Sequence, residues 1–383
     1  MRTFVGMCLV VGVCLAFAGQ ASASVYDDNI VYRPGGAMWY LAANPGPTTY
    51  YPPLGTPATV TSSAQWGGAG DAPMIGNVSG DVFDDVVVTR DNGGGAYAWY
   101  AGHTADAGGG VAQIGSQNHP GPDSFLGNFG TIAGNEGNFL QDVTGNGASD
   151  ALTINAGFNW YCQPSGVATG LGTGGAVQGP VQFGLGGDQP IMGDFDGDGF
   201  EDIGVYRPGG GNIFWNSSAG GVLGAGGLGP IGQIGGAATD SLIVADLNGD
   251  VYDDVVMVRQ DGVGLIEWFG LINDGTGYLD YFNPGTTIVG FGLDDGLGTD
   301  VPFVADINGD GMDDIGVTRT DIQNFVTWTT AGGALGVNGA GDENWSFGLA
   351  GDVHMFGQFG VPEPGTLMLL GLGGLAVLRR RRA

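Results

Sequence analysis

The nine residues Asp194-Phe-Asp196-Gly-Asp198-Gly-Phe200-Glu-Asp202 set carboxylates at positions one, three, five and nine of a short glycine-bearing stretch. Calcium takes about six to eight hard oxygen ligands in a flexible shell, so alternating acids on a tight turn, completed by a backbone carbonyl at position seven, can surround it. Phe200 would supply that carbonyl. Two further stretches keep the pattern with asparagine at position three: Asp246, Asn248, Asp250, Tyr252 and Asp254, then Asp306, Asn308, Asp310, Met312 and Asp314. Asn77, Ser79, Asp81 and Asp85, and Asp142, Thr144, Asn146 and Asp150, keep suitable oxygens with less charge. The expectation is three calcium sites, rising to five if the diluted loops also fill. An EF-hand is excluded, because position twelve is Val205, Met257 or Val317 where that loop needs a bidentate glutamate. The plain alternative is a set of solvated acidic turns, and three near-complete copies that coincide with the repeat argue against it.

The elements that must position these loops follow from a repeat. Units fall near 66–100, 129–161, 183–216, 234–269 and 291–328, and residues 347–360 joined to 26–40 complete a sixth. The loops start at Asn77, Asp142, Asp194, Asp246, Asp306 and Gln358, with spacings of 65, 52, 52, 60 and 52 residues that suit a four-stranded blade. Ile203 to Tyr206, Val255 to Val258 and Ile315 to Thr318 are short and bounded by turn residues, as strands should be. A second strand is expected after each, ending in tryptophan. These features predict an all-β chain: a β-propeller of six blades, seven being the alternative, whose ring is closed by the two halves of one blade. Such closure leaves no open sheet edge. In that split unit Gln358 and Gly360 oppose Asp28, and no ion is expected.

Trp39, Trp99, Trp160, Trp215, Trp268 and Trp328 occur once per unit. Residues that repeat in every unit serve the repeat, so they read as blade core before sugar platforms. Arg33, Arg90, Arg207, Arg259 and Arg319 share one slot, with Asn155 in the remaining unit, and read as a repeated structural ion pair. Eighty glycines without a three-residue period exclude collagen and favour turn-rich β structure. The chain has no lysine, and between residues 24 and 360 thirty-eight acids face five arginines, a formal charge of −33. Phosphate binding needs clustered basic groups, so nucleic acid is excluded as a partner and cations are the natural counterions.

Arg2, the apolar stretch from Phe4 to Ala18, and Ala21-Ser22-Ala23 read as a cleaved signal peptide over 1–23. Cys162 is then the only cysteine of the mature chain, so no internal disulfide can staple the loops. His103, His119 and His354 are scattered, and the glycine run 170–175 lacks the context of a phosphate loop and reads as a blade connection. Asp294, Asp295 and Asp300 lie outside the metal pattern and would be the acids of an enzyme, if there is one.

The stretch GDFDGDGFEDIGVYRPGGGNIFW resembles the FG-GAP, or VCBS-type, repeat of integrin-like propellers. The resemblance covers the body, 24–360, and implies a propeller whose loops hold calcium for rigidity, with binding activity elsewhere on the ring. Integrin propellers have seven blades where this chain shows six units. Val361-Pro362-Glu363-Pro364, an apolar run from Thr366 to Leu378 and four terminal arginines make 361–383 resemble a PEP-CTERM sorting tail. That implies transient membrane anchoring and processing by an exosortase-type enzyme in a Gram-negative envelope, and arginines on the cytoplasmic side agree with the positive-inside rule. The functional expectation is an exported, non-catalytic, calcium-binding protein that serves cell-surface or matrix adhesion or contact with exopolysaccharide, with extracellular polysaccharide or a surface protein as its partner. The alternative is a polysaccharide lyase or glycosidase on the same scaffold.

Overall fold

The structure is a computed structural model describing residues 27–44, 60–81, 83–106, 112–113, 124–277, 279, 287–294, 300–319, 324–328, 330, 334–336 and 343–358. The expected signal peptide, Asp295, His119, Gly360 and the sorting residues Pro362, Glu363 and Pro364 lie outside the described residues, as does the Trp328 side chain. The short strands Ala105–Asp106 and Ala112–Gln113 pair in a separate two-stranded sheet. Six antiparallel sheets, each built on a path of four strands, form the ring, the short strand Gly232–Gln233 adding a fifth to one of them. Their strands run in chain order from the inside of the ring outwards. Blade 1 comprises Ala72–Gly76, Asp85–Asp91, Tyr97–Gly102 and Ser124–Leu126, and blade 2 comprises Gly137–Gln141, Asp150–Asn155, Asn159–Gln163 and Gln178–Gln182. Blade 3 is Gln189–Gly193, Asp202–Arg207, Asn212–Ala219 and Val222–Leu228, and blade 4 is Asp240–Ala245, Asp254–Arg259, Leu265–Leu271 and Thr287–Leu293. Blade 5 is Asp300–Ala305, Asp314–Arg319, Asn324–Trp328 and Glu343–Ser346. Blade 6 closes the ring: its inner strand Val353–Gly357 comes from the far end of the chain, and Asp28–Arg33, Met38–Ala42 and Ser62–Gln65 come from the near end. The seam is continuous pairing from Asp28 opposite Gly357 to Tyr32 opposite Val353.

Successive strands of a meander reverse direction, so its loops alternate between two ends. The inner-to-second loops, which carry the acidic pattern, sit at one end of every blade. The second-to-third turns and the links from one blade to the next sit at the other, about 20 Å away for six residues at ~3.3 Å each.

Each second strand is buried on both faces, as in Asp254–Arg259, which explains the unbroken Val-Val-Met-Val run where alternation would mark a half-exposed strand. The core is accordingly six layers, each shared by two neighbouring blades; Trp215 and Phe195 of blade 3 pack with Leu242 and Met257 of blade 4. The tryptophans fill these layers. Trp39, Trp99, Trp160, Trp215 and Trp268 are buried, so they do not offer sugar platforms. Their indole N–H groups donate to backbone carbonyls: Trp39 to Trp66 (2.9 Å), Trp99 to Phe129 (2.9 Å), Trp160 to Phe183 (2.7 Å) and Trp268 to Phe291 (2.7 Å). The expected strand end holds in blade 5 and is corrected in blades 3 and 4. Trp215, whose indole N–H donates to the Gly277 carbonyl (3.2 Å) in the loop before the outer strand of blade 4, and Trp268 lie within strands that run on to Ala219 and Leu271, whereas Asn324–Trp328 ends on its tryptophan. The residue after each of the first four accepting carbonyls is a glycine in the left-handed region. At Gly184 (φ 115°) a side chain would also collide with Phe158.

The glycine run 170–175 lies inside blade 2, between its third and outer strands, and does not connect blades. It reaches across to blade 1, where the Leu171 N–H donates to Ser124 Oγ at 3.0 Å.

Candidate functional site

The loop of blade 3 is built from its first residue. Asp194 Oδ1 accepts the N–H groups of Gly197 (2.7 Å) and Asp198 (3.1 Å), and its Oδ2 accepts that of Gly199 (2.8 Å). This winds residues 194–199 around one carboxylate, and Gly197, at φ 72°, takes a backbone conformation few other residues adopt. Asp202, at the far side, is buried: its Oδ2 accepts the Phe195 N–H (3.2 Å) and its Oδ1 the Ser218 N–H (2.7 Å) from the end of the third strand. Ser217 Oγ donates to Asp196 Oδ2 at 2.7 Å and fixes the middle acid.

Carboxylate oxygens of Asp194, Asp196 and Asp202 consequently lie within 4.8 Å of one another. Calcium–oxygen bonds of about 2.3–2.6 Å let one ion bridge oxygens up to about 5 Å apart, so these residues fit a calcium ion. Burial, and then the neighbouring acids, push Asp202 up to about 8 and raise Asp194 and Asp198 above the usual carboxylate range. Such strain on buried charge is what a bound cation relieves.

Among the described residues this is the one place where three acidic side chains converge so closely. In blade 4 the Asn248 amide donates to Asp250 Oδ2 (2.9 Å), and in blade 5 Asn308 donates to both oxygens of Asp314 (3.2 Å each). Both loops keep the wound first residue, since Gly249 N–H meets Asp246 Oδ1 (2.7 Å) and Gly309 N–H meets Asp306 Oδ1 (2.6 Å). Tyr252 and Met312 present their N–H groups to Asp250 (2.8 Å) and Asp310 (3.0 Å), as Phe200 does to Asp198 (3.1 Å).

In the diluted loops neutral side chains take over some of these contacts, beside the remaining aspartates. Asn77 Nδ2 donates to the Asp81 carbonyl (2.6 Å) while its Oδ1 accepts the Gly80 N–H (2.7 Å). Ser79 gives its N–H to Asp85 (3.0 Å). In blade 2, Thr144 N–H meets Asp150 (3.0 Å), Asp142 accepts from Asn146 and Gly147, and the Asn146 amide is drawn off to the Ser165 carbonyl (2.9 Å). Asp28 in the split unit accepts the Asn44 N–H at 2.6 Å.

Two sets of residues escaped the sequence reading. The first is the partner of each arginine: Arg90–Asp71, Arg207–Asp188, Arg259–Asp240, Arg319–Asp300 and, across the seam, Arg33–Asp352 are two-point ion pairs at 2.6–3.0 Å. A constant separation of nineteen residues marks four of them in the sequence. Arg33, Arg90, Arg207 and Arg259 also lie 4.7–5.4 Å from the ring centres of Tyr40, Tyr100, Phe214 and Phe269. Asp300, which could have served an enzyme, is thus held by Arg319.

The second set stands at loop position eight: Asp27, Asp84, Ser149, Glu201, Asp253 and Asp313. Each donates its backbone N–H to the first loop residue of the preceding blade, respectively Asp306, Gln358, Asn77, Asp142, Asp194 and Asp246, at 2.6–3.3 Å. The carboxylates of Asp27, Asp84, Asp253 and Asp313 return the contact by accepting the N–H of that same first residue at 2.7–3.1 Å. This stitches the six loops into one ring. Acids in adjacent pairs at positions eight and nine, as in Asp253-Asp254, are its trace in the sequence.

Comparison with known proteins bears on both ends of this description. Residues 360–382 match the PEP-CTERM protein-sorting motif, a signal recognised by exosortase that marks exported proteins. Among curated proteins, none matches the chain. The fold is similar to a solved structure of an Agrocybe aegerita lectin described as recognising non-reducing terminal N-acetylglucosamine, with 16% identity, a TM-score of 0.52, and coverage of 88% of this chain and 96% of that one. The shared feature is the all-β propeller fold, which in this chain has six blades.

Proposed function

We propose that this exported protein is a non-catalytic carbohydrate-binding propeller, stiffened by calcium in its inner loops, that acts in contact with exopolysaccharide or another glycan at the cell surface or in the matrix. The convergence of Asp194, Asp196 and Asp202 on one point carries the calcium part of this reading. Loops on this scaffold act as rivets of the ring, since Asp194, which would ligate calcium through its side chain, is bonded through its backbone to Asp253 of the next blade. The carbohydrate part rests on likeness of fold to the lectin, with fold alone as its warrant.

The test is thermal melting of the mature chain in calcium and in EDTA at matched ionic strength, with a glycan array run in both. Calcium should raise the melting temperature by several degrees, because one site at a hundred times its Kd adds about 2.7 kcal/mol. Identical melting in the two buffers removes the calcium, and an array without a positive glycan removes the carbohydrate. Release of cleaved glycan would overturn the non-catalytic assignment.

A further inference from the structure

Residues repeated in every blade build the blade; polar residues that break the repeat and meet in one cavity are free for another use. One such cavity, of about 460 Å³, opens between blades 4 and 5 at the end opposite the acidic loops. Its lining includes Thr239, Gln260, Asp261, Asp294, Val301 and Pro302. Asp294 stands where the corresponding links carry Gly186 and Ala350 and so breaks the repeat, whereas Asp261 stands where the corresponding turns carry Gly35, Gly209, Asn92 and Asp321, and joins Asp294 by its place in this cavity. The size falls in the range of about 300–1,000 Å³ common to small-ligand clefts.

The lining is rich in acceptors and poor in donors. Asp294 is 2% exposed; its Oδ2 accepts the Gly262 N–H at 2.7 Å, and its Oδ1 has no hydrogen-bond partner among the described residues. A carboxylate oxygen so placed in a cavity wall wants a donor from a ligand. Asp261 uses Oδ1 for the Val263 N–H (3.1 Å), leaving Oδ2 to the exposed side. Gln260 spends its amide N–H on the Asp300 carbonyl (2.9 Å), which leaves its Oε1 as a further acceptor. The Asp300 carboxylate is neutralised by Arg319. Half-exposed Val301 and Pro302 give the cavity an apolar wall.

We infer that this cleft is a glycan-binding site, and that its ligand is a neutral sugar whose hydroxyl groups donate to Asp261 and Asp294 while a C–H face of the ring rests on Val301 and Pro302. The inference rests on the carbohydrate-binding reading above and narrows it to one cleft and one class of sugar. Two carboxylates with no free arginine beside them repel uronates, sulfates and phosphates. A compact cation would want converging acids, and the carboxylates of this cleft do not gather within 4.8 Å as those of the blade 3 loop do. Spread acceptors match the spread hydroxyls of a sugar, and each hydroxyl-to-carboxylate contact is a charge-assisted hydrogen bond.

The experiment titrates the mature chain with β-1,4-linked glucose and N-acetylglucosamine oligosaccharides, using tetragalacturonate as the acidic arm and spermidine as the cationic arm. A neutral oligosaccharide should bind, and Asp261→Asn and Thr239→Val, both at exposed positions, should each weaken it about tenfold with melting unchanged. Asp294→Asn, which keeps the size of the buried side chain, should abolish binding. Neutral sugar that binds wild type and all three variants alike overturns this site while leaving carbohydrate binding in place. Tetragalacturonate binding as tightly as the neutral sugars, or spermidine displacing them, overturns the ligand class. Failure of every saccharide overturns both readings, and cleavage of the oligosaccharide overturns binding without turnover.

Discussion

Asp202, Asp254 and Asp314 show what position nine costs the chain and what it returns. Each is buried and accepts a backbone N–H from its own third strand or just beyond it, at Ser218 (2.7 Å), Asn273 (2.6 Å) and Thr330 (2.8 Å), so one carboxylate locks the loop to the blade. Burial first, and neighbouring acids after it, push them up to about 8, 7 and 8. A carboxylate whose folded pKa exceeds its unfolded value holds its proton more tightly in the native state. Its stability contribution is then complete below about pH 4 and is lost as pH rises through about 7 to 8. In EDTA the melting temperature should therefore fall between about pH 5 and pH 8. Calcium, which favours the ionised form, should flatten or reverse that slope. Equal profiles with and without the ion would show that these carboxylates meet no metal. The arginine clamp allows a sharper substitution. Asp188 is almost wholly buried beneath a partly exposed Arg207, so Arg207→Ala strands a buried charge and should cost about 2 kcal/mol, less than the ~3–5 kcal/mol of a fully buried pair because solvent reaches the arginine. Arg207→Lys should recover little in chemical denaturation, because lysine cannot make both contacts.

The element on which everything closes is the strand Val353–Gly357. It pairs with Asp28–Arg33 over five residue pairs, and Phe356 stacks on Phe303 of blade 5 at 4.2 Å between ring centres. Removing 361–383 should leave melting unchanged, since no described strand is touched. Removing 353–383 exposes an edge and empties part of a core layer, which should lower the melting temperature by on the order of 10 °C or end two-state melting. Equal melting of both truncations would mean the ring does not depend on its seam. This closure was legible in the sequence because YDDNIVYRPGGAMWY and FGLAGDVHMFGQFG each match half of a recurring unit. The acidic loops and the burial of the tryptophans were legible for the same reason, as copies out-vote local ambiguity. What one copy does alone was not legible. Asp294 and Asp261 are thirty-three residues apart and meet only because a link and a turn share one end of a blade junction. The Arg33–Asp352 pair spans the chain, and the converging geometry of blade 3 against blades 4 and 5 turns on one side chain, Asp196 against Asn248 and Asn308. The ends of the strands carrying Trp215 and Trp268 were misplaced for a related reason: the tryptophan belongs to the layer between blades, and no local pattern in its own strand shows where that layer lies.

Charge governs the molecule as a whole. All five arginines of the propeller are committed to aspartates, so none is left to offset the remaining acids of a chain whose formal net charge is −29. The position-eight ring adds to the load, because burial first and then adjacent acids raise Asp27 and Glu201 and push Asp253 up to about 6 and Asp313 up to about 7. Mutual repulsion of this kind is screened by any salt, whereas a loop site answers to one ion. The two effects therefore separate in a single series. Raising sodium chloride from about 0.01 to about 0.15 M should increase the melting temperature steadily, since the Debye length shrinks from about 30 to about 8 Å. Millimolar calcium chloride at the same ionic strength should then add a further step that saturates, and Asp196→Asn should shrink that step while leaving the sodium response intact. A calcium response that only follows ionic strength would reduce the loops to solvated turns, and the ring would be held by its seam, its clamps and its six core layers alone.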